Sequence, residues 1–150
     1  MCFEPLDLNY KEKVRSSFSR QKFMHYIGAK LVEIRPGYCE IHIPYKSELC
    51  QQHAFFHAGV IGTVADNTGG YAAFTLMPAD SSILTVEYKL NLIAPGDGKL
   101  LIARGQVIKS RHTLTICRSE VFVVKNGDER LCATSLMTLI ALVGKPDKPK

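Results

Sequence analysis

The stretch "HAFFHAGVIGTVADNTGGYAAF", His53 to Phe74, restricts the fold more than any other part of the chain. It reads as one buried helix, predicted over about residues 57–76. Each interior glycine costs a helix about 0.5–1 kcal/mol relative to alanine. A helix that holds Gly59, Gly62, Gly69 and Gly70 must therefore need close approach, by another backbone or by a ligand. At about 100° per residue, Val60, Ile61, Val64, Thr68, Tyr71 and Ala72 share one side. Asp66, the one charge in the stretch, falls on the other with Gly59, Gly62, Thr63, Gly69, Gly70 and Ala73. Aspartate is a poor helix former away from the N-terminus, and a buried one must be paired, hydrogen-bonded or protonated. Either Asp66 is a surface residue and the glycines admit a partner helix, or it is a carboxylate facing a narrow slot. In the second case desolvation raises its pKa, a common preparation of a general base.

Around this helix the pattern is mostly period two. "LDLNYKEKVRSSFSRQKFMHYIGAKL" predicts an amphipathic helix over about residues 9–25, stopped near Gly28. "AKLVEI" and "CEIHIPY" read as strands joined by the turn "RPGY". After the glycine-rich helix, Leu84, Val86, Tyr88, Leu90 and Leu92 alternate with Thr85, Glu87, Lys89 and Asn91, which predicts a half-buried strand. "PGDG" turns the chain. "LLIARGQVIKS" and "LTICRSEVFVVK" follow as strands, "NGDE" is a hairpin turn, and "RLCATSLMTLIAL" closes the series. Short turns predict that the last four strands form an antiparallel meander, covered on one face by the glycine-rich helix. There is no internal repeat or linker, so residues 1–150 read as one α+β domain with a flexible tail over about 144–150.

The formal net charge is +5, but Lys145, Lys148 and Lys150 crowd the tail and the other cations are scattered. That points away from nucleic acid and suits an anionic small substrate. No apolar run is long enough to span a bilayer and no leader pattern is visible, so membrane association is not expected and a cytoplasmic location is. Cys2, Cys39, Cys50, Cys117 and Cys132 are odd in number and lack C-x-x-C spacing, so they read as reduced thiols. His25, His42 and His112 share no ligand spacing; neither a metal nor a cofactor is expected. No serine stands in G-x-S-x-G, which argues against a serine hydrolase.

"HAGVIGTVAD" resembles the His-Gly-Gly, six residues, then Asp pattern of the hotdog-fold thioesterases of the phenylacetic-acid-degradation (PaaI-like) type. "LTVEYKLNLIAPG" resembles the strand that follows in that family, and "KSRHTLT" with "RLCATSLMTLI" resembles its last two strands. The resemblance covers about residues 25–142. It implies a curved antiparallel sheet wrapped around a long central helix, and a thioesterase that hydrolyses acyl-coenzyme A.

It also implies roles. Asp66 matches the catalytic carboxylate, as general base or nucleophile. Ala58 stands at the first glycine, whose backbone N–H polarises the thioester carbonyl. Thr85 matches a hydroxyl residue that orients water, and Gln51 an asparagine that contacts substrate or water. His57 and Gly59 are implied in substrate binding. Separately, Lys109, Arg111 and His112 stand at the turn "KSRH", which either meets the phosphates of coenzyme A, as Arg and Lys favour, or is a plain solvated turn. The family site spans two subunits, so a homodimer, or a tetramer made of two dimers, is implied. Three departures bear on substrate range: Ala58 for glycine, Gln51 for asparagine, and the extra methyl of Thr85. Two other functions fit the same scaffold: a non-catalytic acyl-thioester binding module, and an enoyl-thioester hydratase dependent on His57.

Overall fold

The computed structural model describes residues 3–148. Cys2, and Pro149 and Lys150 of the expected tail, lie outside the described residues. The elements are α1 (Tyr10–Ser19), α2 (Lys22–Tyr26), β1 (Lys30–Arg35), β2 (Tyr38–Pro44), a 3-10 turn (Ser47–Leu49), α3 (Ala58–Phe74), β3 (Ser81–Leu92), β4 (Leu100–Ser110), β5 (Leu114–Lys125) and β6 (Asp128–Val143).

The N-terminal helix expected over 9–25 is broken in two. Val14 and Phe18 bury one face of α1. Continuing that face would turn Gln21, Lys22 and His25 inward. Gln21 instead takes an extended conformation, and α2 restarts with Met24 inside. The break resets the helical phase so that apolar residues stay buried.

The strands form one antiparallel sheet in the order β1-β2-β4-β5-β6-β3. β4, β5 and β6 are the expected meander. At the β5–β6 turn Asn126 and Gly127 both have positive φ, as a two-residue hairpin with right-handed strand twist requires. β3 departs from the expectation: it lies at the far edge, beside β6, and β4 pairs with β2. The "PGDG" segment is a crossover, not a hairpin turn. It passes over the start of α3, where the Phe56 amide donates to the Gly96 carbonyl at 3.0 Å. α3 packs against β2, β3, β4, β5 and β6, and the hydrophobic core lies between helix and sheet.

The glycine-rich face packs on sheet side chains rather than on a partner helix. A Cβ on Gly69 would collide with the Met137 sulfur and approach the Ser119 hydroxyl, and one on Gly62 would meet Tyr88 and Leu90. Close approach of backbones occurs from the other side. Gly105, Ser119 and Ser135 form a row of small residues across β4, β5 and β6, and a Cβ on Gly105 would stand 2.5 Å from the Thr68 carbonyl of α3. Both partners are backbone, so neither can yield. Gly105→Val is expected to cost about 3 kcal/mol or more, read as a lower midpoint in urea unfolding.

The strict alternation predicted for β3 also fails. A bulge at Val86 shifts the register between Thr85 and Glu87. Thr85 and Tyr88 then both face α3: Thr85 bonds Asp66, and the Tyr88 hydroxyl lies over Gly62. Without the extra residue, side chains three positions apart would point to opposite faces. Leu84, Val86, Tyr88 and Leu92 are exposed rather than half-buried.

Candidate active site

Two clefts open along α3. The first, of about 580 Å³, lies between α1, α3, β3 and the C-terminal segment, and Asp66, Asn67 and Thr85 are in its wall. The second, of about 500 Å³, lies at the N-terminus of α3 and is lined by Gln51, Ala58, Phe56 and the crossover.

In the first cleft the Thr85 hydroxyl donates to Asp66 Oδ1 at 2.7 Å. The β3 bulge aims it there. Burial pushes the Asp66 carboxyl above the ordinary aspartate value, and the Thr85 hydrogen bond offsets part of the rise. This is a carboxylate with raised basicity and one oxygen held in place. If its ionised form does the chemistry, activity falls on acidification at a pH above about 4, the usual aspartate range. Thr85→Ala removes the bond that favours the ionised form. A pH–rate profile is expected to show the acid limb moved further up in that variant.

Beside the second cleft His57 caps α3, its Nδ1 accepting from the Gly59 amide at 2.8 Å. That engages Gly59 and fixes the imidazole at the helix end. Ala58, the first helical residue, has no intrahelical acceptor for its N–H. The positive end of the helix dipole therefore meets this cleft with a donor that has no partner among the described residues. Gln51 accepts from the His53 amide through Oε1, which leaves its amide nitrogen as a donor.

The loop before the helix is held tightly. The Ala54 amide donates to the Gln51 carbonyl at 3.0 Å, and Ala54 has φ +63°. A Cβ disfavours that conformation. Ala54→Gly is expected to stabilise the fold by about 0.5–1 kcal/mol, measured by denaturant midpoint.

Of the residues singled out in the sequence, Asp66 and Thr85 come together in one cleft, and Gln51, Ala58, Gly59 and His57 gather at the helix end. Lys109 and Arg111 are exposed at the end of β4 and the turn after it, and line neither cleft. Sequence reasoning missed the far wall of the Asp66 cleft: Ser17, Arg20, Gln21, Tyr71 and Asp147. The one available signal was Gln21, a polar residue where the helical phase of α1 called for an apolar one. Among the described residues no three His, Cys, Asp or Glu side chains converge to hold a metal ion, and no helix is long and apolar enough to cross a membrane.

A six-stranded antiparallel sheet curled around one helix, with a carboxylate midway along that helix and a free amide at its start, defines the hotdog architecture. The chain belongs to the thioesterase superfamily, whose sequence profile matches residues 53–133. The crystal structure of a thioesterase family protein from Silicibacter pomeroyi is 43% identical, superposes with a TM-score of 0.89, and is covered over 99% of its length by 90% of this chain. Two more distant structures share the fold. The PaaI protein of the Escherichia coli phenylacetic acid degradation operon is 14% identical with a TM-score of 0.82, the match covering 94% of this chain and 99% of that one. A thioesterase from Haemophilus influenzae is 17% identical with a TM-score of 0.77, the match covering 96% and 94% respectively.

Proposed function

We propose that this protein hydrolyses an acyl-coenzyme A thioester to the free acid and coenzyme A, at a site completed by two copies of the chain. One observation carries the two-chain reading. Asp66 and Ala58 lie in separate clefts, eight residues apart on one helix, which separates their backbones by about 12 Å along its axis. One thioester carbonyl cannot meet the carboxylate and the amide of the same chain. A second copy supplies the missing half.

The edge of the sheet supports such pairing. β3 is twelve residues long, is paired on one side only, and exposes Leu84, Val86, Tyr88 and Leu92. A long apolar edge strand is a template for pairing, and a two-fold partner satisfies it. The expected state is a homodimer, or two dimers together, measured by light scattering at micromolar concentration.

In this reading the Asp66 carboxylate takes a proton from water, which attacks the carbonyl carbon, or attacks it directly to form a mixed anhydride that water hydrolyses after the thiolate has left. Charge develops on the carbonyl oxygen and is met by the Ala58 N–H of the second copy and the dipole behind it. The C–S bond then breaks and the thiolate leaves without needing a strong general acid. Thr85 holds the carboxylate oxygen. Gln51 has an amide donor at the same end as Ala58, suited to a water or the thioester. Lys109 and Arg111 are the cations offered to the phosphates of coenzyme A. Their turn lies at the end of the sheet where β3 begins, since the Ala141 amide bonds the Thr113 carbonyl and Ala141 pairs with Ile83. The cytoplasm suits Cys39, Cys50, Cys117 and Cys132, which are all free thiols.

The test is loss of thioester absorbance across short, medium, long and aromatic acyl-coenzyme A substrates. Turnover of one class is expected; saturable binding with no turnover of any would make the protein a binding module. A hydratase would consume an enoyl thioester without releasing thiol.

A further inference from the structure

The wall of the first cleft opposite Asp66 is built in a way that water hydrolysis does not require. The Tyr71 hydroxyl is drawn into a polar cluster, accepting from Gln21 Nε2 at 2.6 Å and lying 3.2 Å from the Ser17 hydroxyl. Tyr71 is 4% exposed, and its ring packs edge-on against Phe18. The hydroxyl is thereby fixed in position at the cleft wall. Gln21 is half-buried, and its amide nitrogen but not its Oε1 is bonded among the described residues; Asn67 Oδ1 is buried without a partner in the same cleft. The apolar residues between the ends are Ile83, Leu84 and Leu139. A cleft for a plain alkyl chain would be aliphatic to its end, because an apolar group there strands hydrogen-bonding atoms without water.

The charge at that end is already balanced. Arg20 is paired with Asp147 at 2.7 Å and also bonds the Ser16 carbonyl and hydroxyl. With Asp66 at the other end, the cleft offers no free cation among the described residues to an anionic terminus. Its unmet capacity is neutral: the acceptor Gln21 Oε1 beside a fixed hydroxyl.

We propose that the Asp66 cleft selects short acyl groups ending in a hydroxyl or similar neutral hydrogen-bonding group, and that Gln21 and Tyr71 read that end. This rests on the thioesterase reading above. Asp66 and Tyr71 are five residues apart on α3, about 7.5 Å along the axis, which sets the scale at a short chain. The substrate terminus donates to Gln21 Oε1 and accepts from the Tyr71 or Ser17 hydroxyl. No bond is made or broken there. The effect is on orientation and on the relative kcat/KM of competing substrates.

The experiment compares hexanoyl-, 6-hydroxyhexanoyl- and adipoyl-coenzyme A on wild type, Gln21→Leu and Tyr71→Phe, each checked for folding by thermal melting. One or two neutral hydrogen bonds correspond to about tenfold discrimination. Wild type is expected to favour the hydroxylated substrate over hexanoyl by about that factor, mostly in KM, and to turn over adipoyl least. The hydroxyl preference is expected to fall to near unity in Gln21→Leu and to shrink in Tyr71→Phe. Hexanoyl turnover with no hydroxyl preference, a preference that survives in both variants, or a preference for adipoyl would each overturn the inference while leaving the thioesterase reading intact. No turnover of any substrate by wild type would overturn both.

Discussion

Asp66→Asn is expected to fold and to have the same oligomeric state as wild type, and to lose turnover by about 10²–10⁴-fold, the range over which a positioned general base acts. Asparagine keeps the shape and can still bond Thr85, so the loss isolates the charge. Stability separates the two roles. Folding raises the Asp66 pKa by burial, so the folded state holds this proton more tightly than the unfolded chain. Ionised Asp66 therefore destabilises the fold at neutral pH. That cost is fully present above the folded-state pKa and disappears as pH falls below the unfolded value. The neutral asparagine avoids it, so at pH 7 the variant is expected to melt no lower than wild type. A variant that is both inactive and markedly less stable would mean that Asp66 is structural.

Ala58→Pro is the second large effect. Ala58 is the first residue of α3, and its capping neighbour His57 has ψ 141°. Proline is accepted at that helical position, and the preceding residue is already extended as proline demands. The substitution therefore removes the N–H with little change to the helix. Loss of one oxyanion donor costs about 10²–10³ in kcat. The expected result is that loss with KM little changed and the melting temperature retained. Unchanged kcat would assign carbonyl polarisation to another group, with Gln51 in the same cleft the first to examine.

The elements that local pattern controls were legible in the sequence. Asn126-Gly127 marked its hairpin because both residues had to adopt positive φ, and the glycines of α3 marked a helix pressed onto its neighbours. The break in the N-terminal helix was legible in principle, since Val14, Phe18, Met24 and Ile27 do not fit one helical phase. The position of β3 was not. "PGDG" reads as a turn whichever strands it joins, and the long-range pairing of β4 with β2 and β3 with β6 makes it a crossover. The bulge at Val86 was hidden for a similar reason, because leucine and valine at 84 and 86 preserve an alternation that the backbone does not follow. The Asp66–Thr85 pair was indicated by resemblance to a family, while the geometry that joins them depends on that bulge. The far wall of the cleft depends on contacts such as Gln21 to Tyr71, fifty residues apart, which no local pattern announces.

The central claim is that each site takes Asp66 from one chain and the Ala58 amide from another. Asp66→Asn and Ala58→Pro each inactivate both sites of their own dimers. Refolded together in equal amounts, the two variants are expected to regain about a quarter of wild-type turnover. Half of the dimers are then mixed, and each mixed dimer carries one intact site. Mixed dimers isolated through different affinity tags, with turnover no higher than either parent, would contradict the claim and place the carboxylate and the amide in one chain.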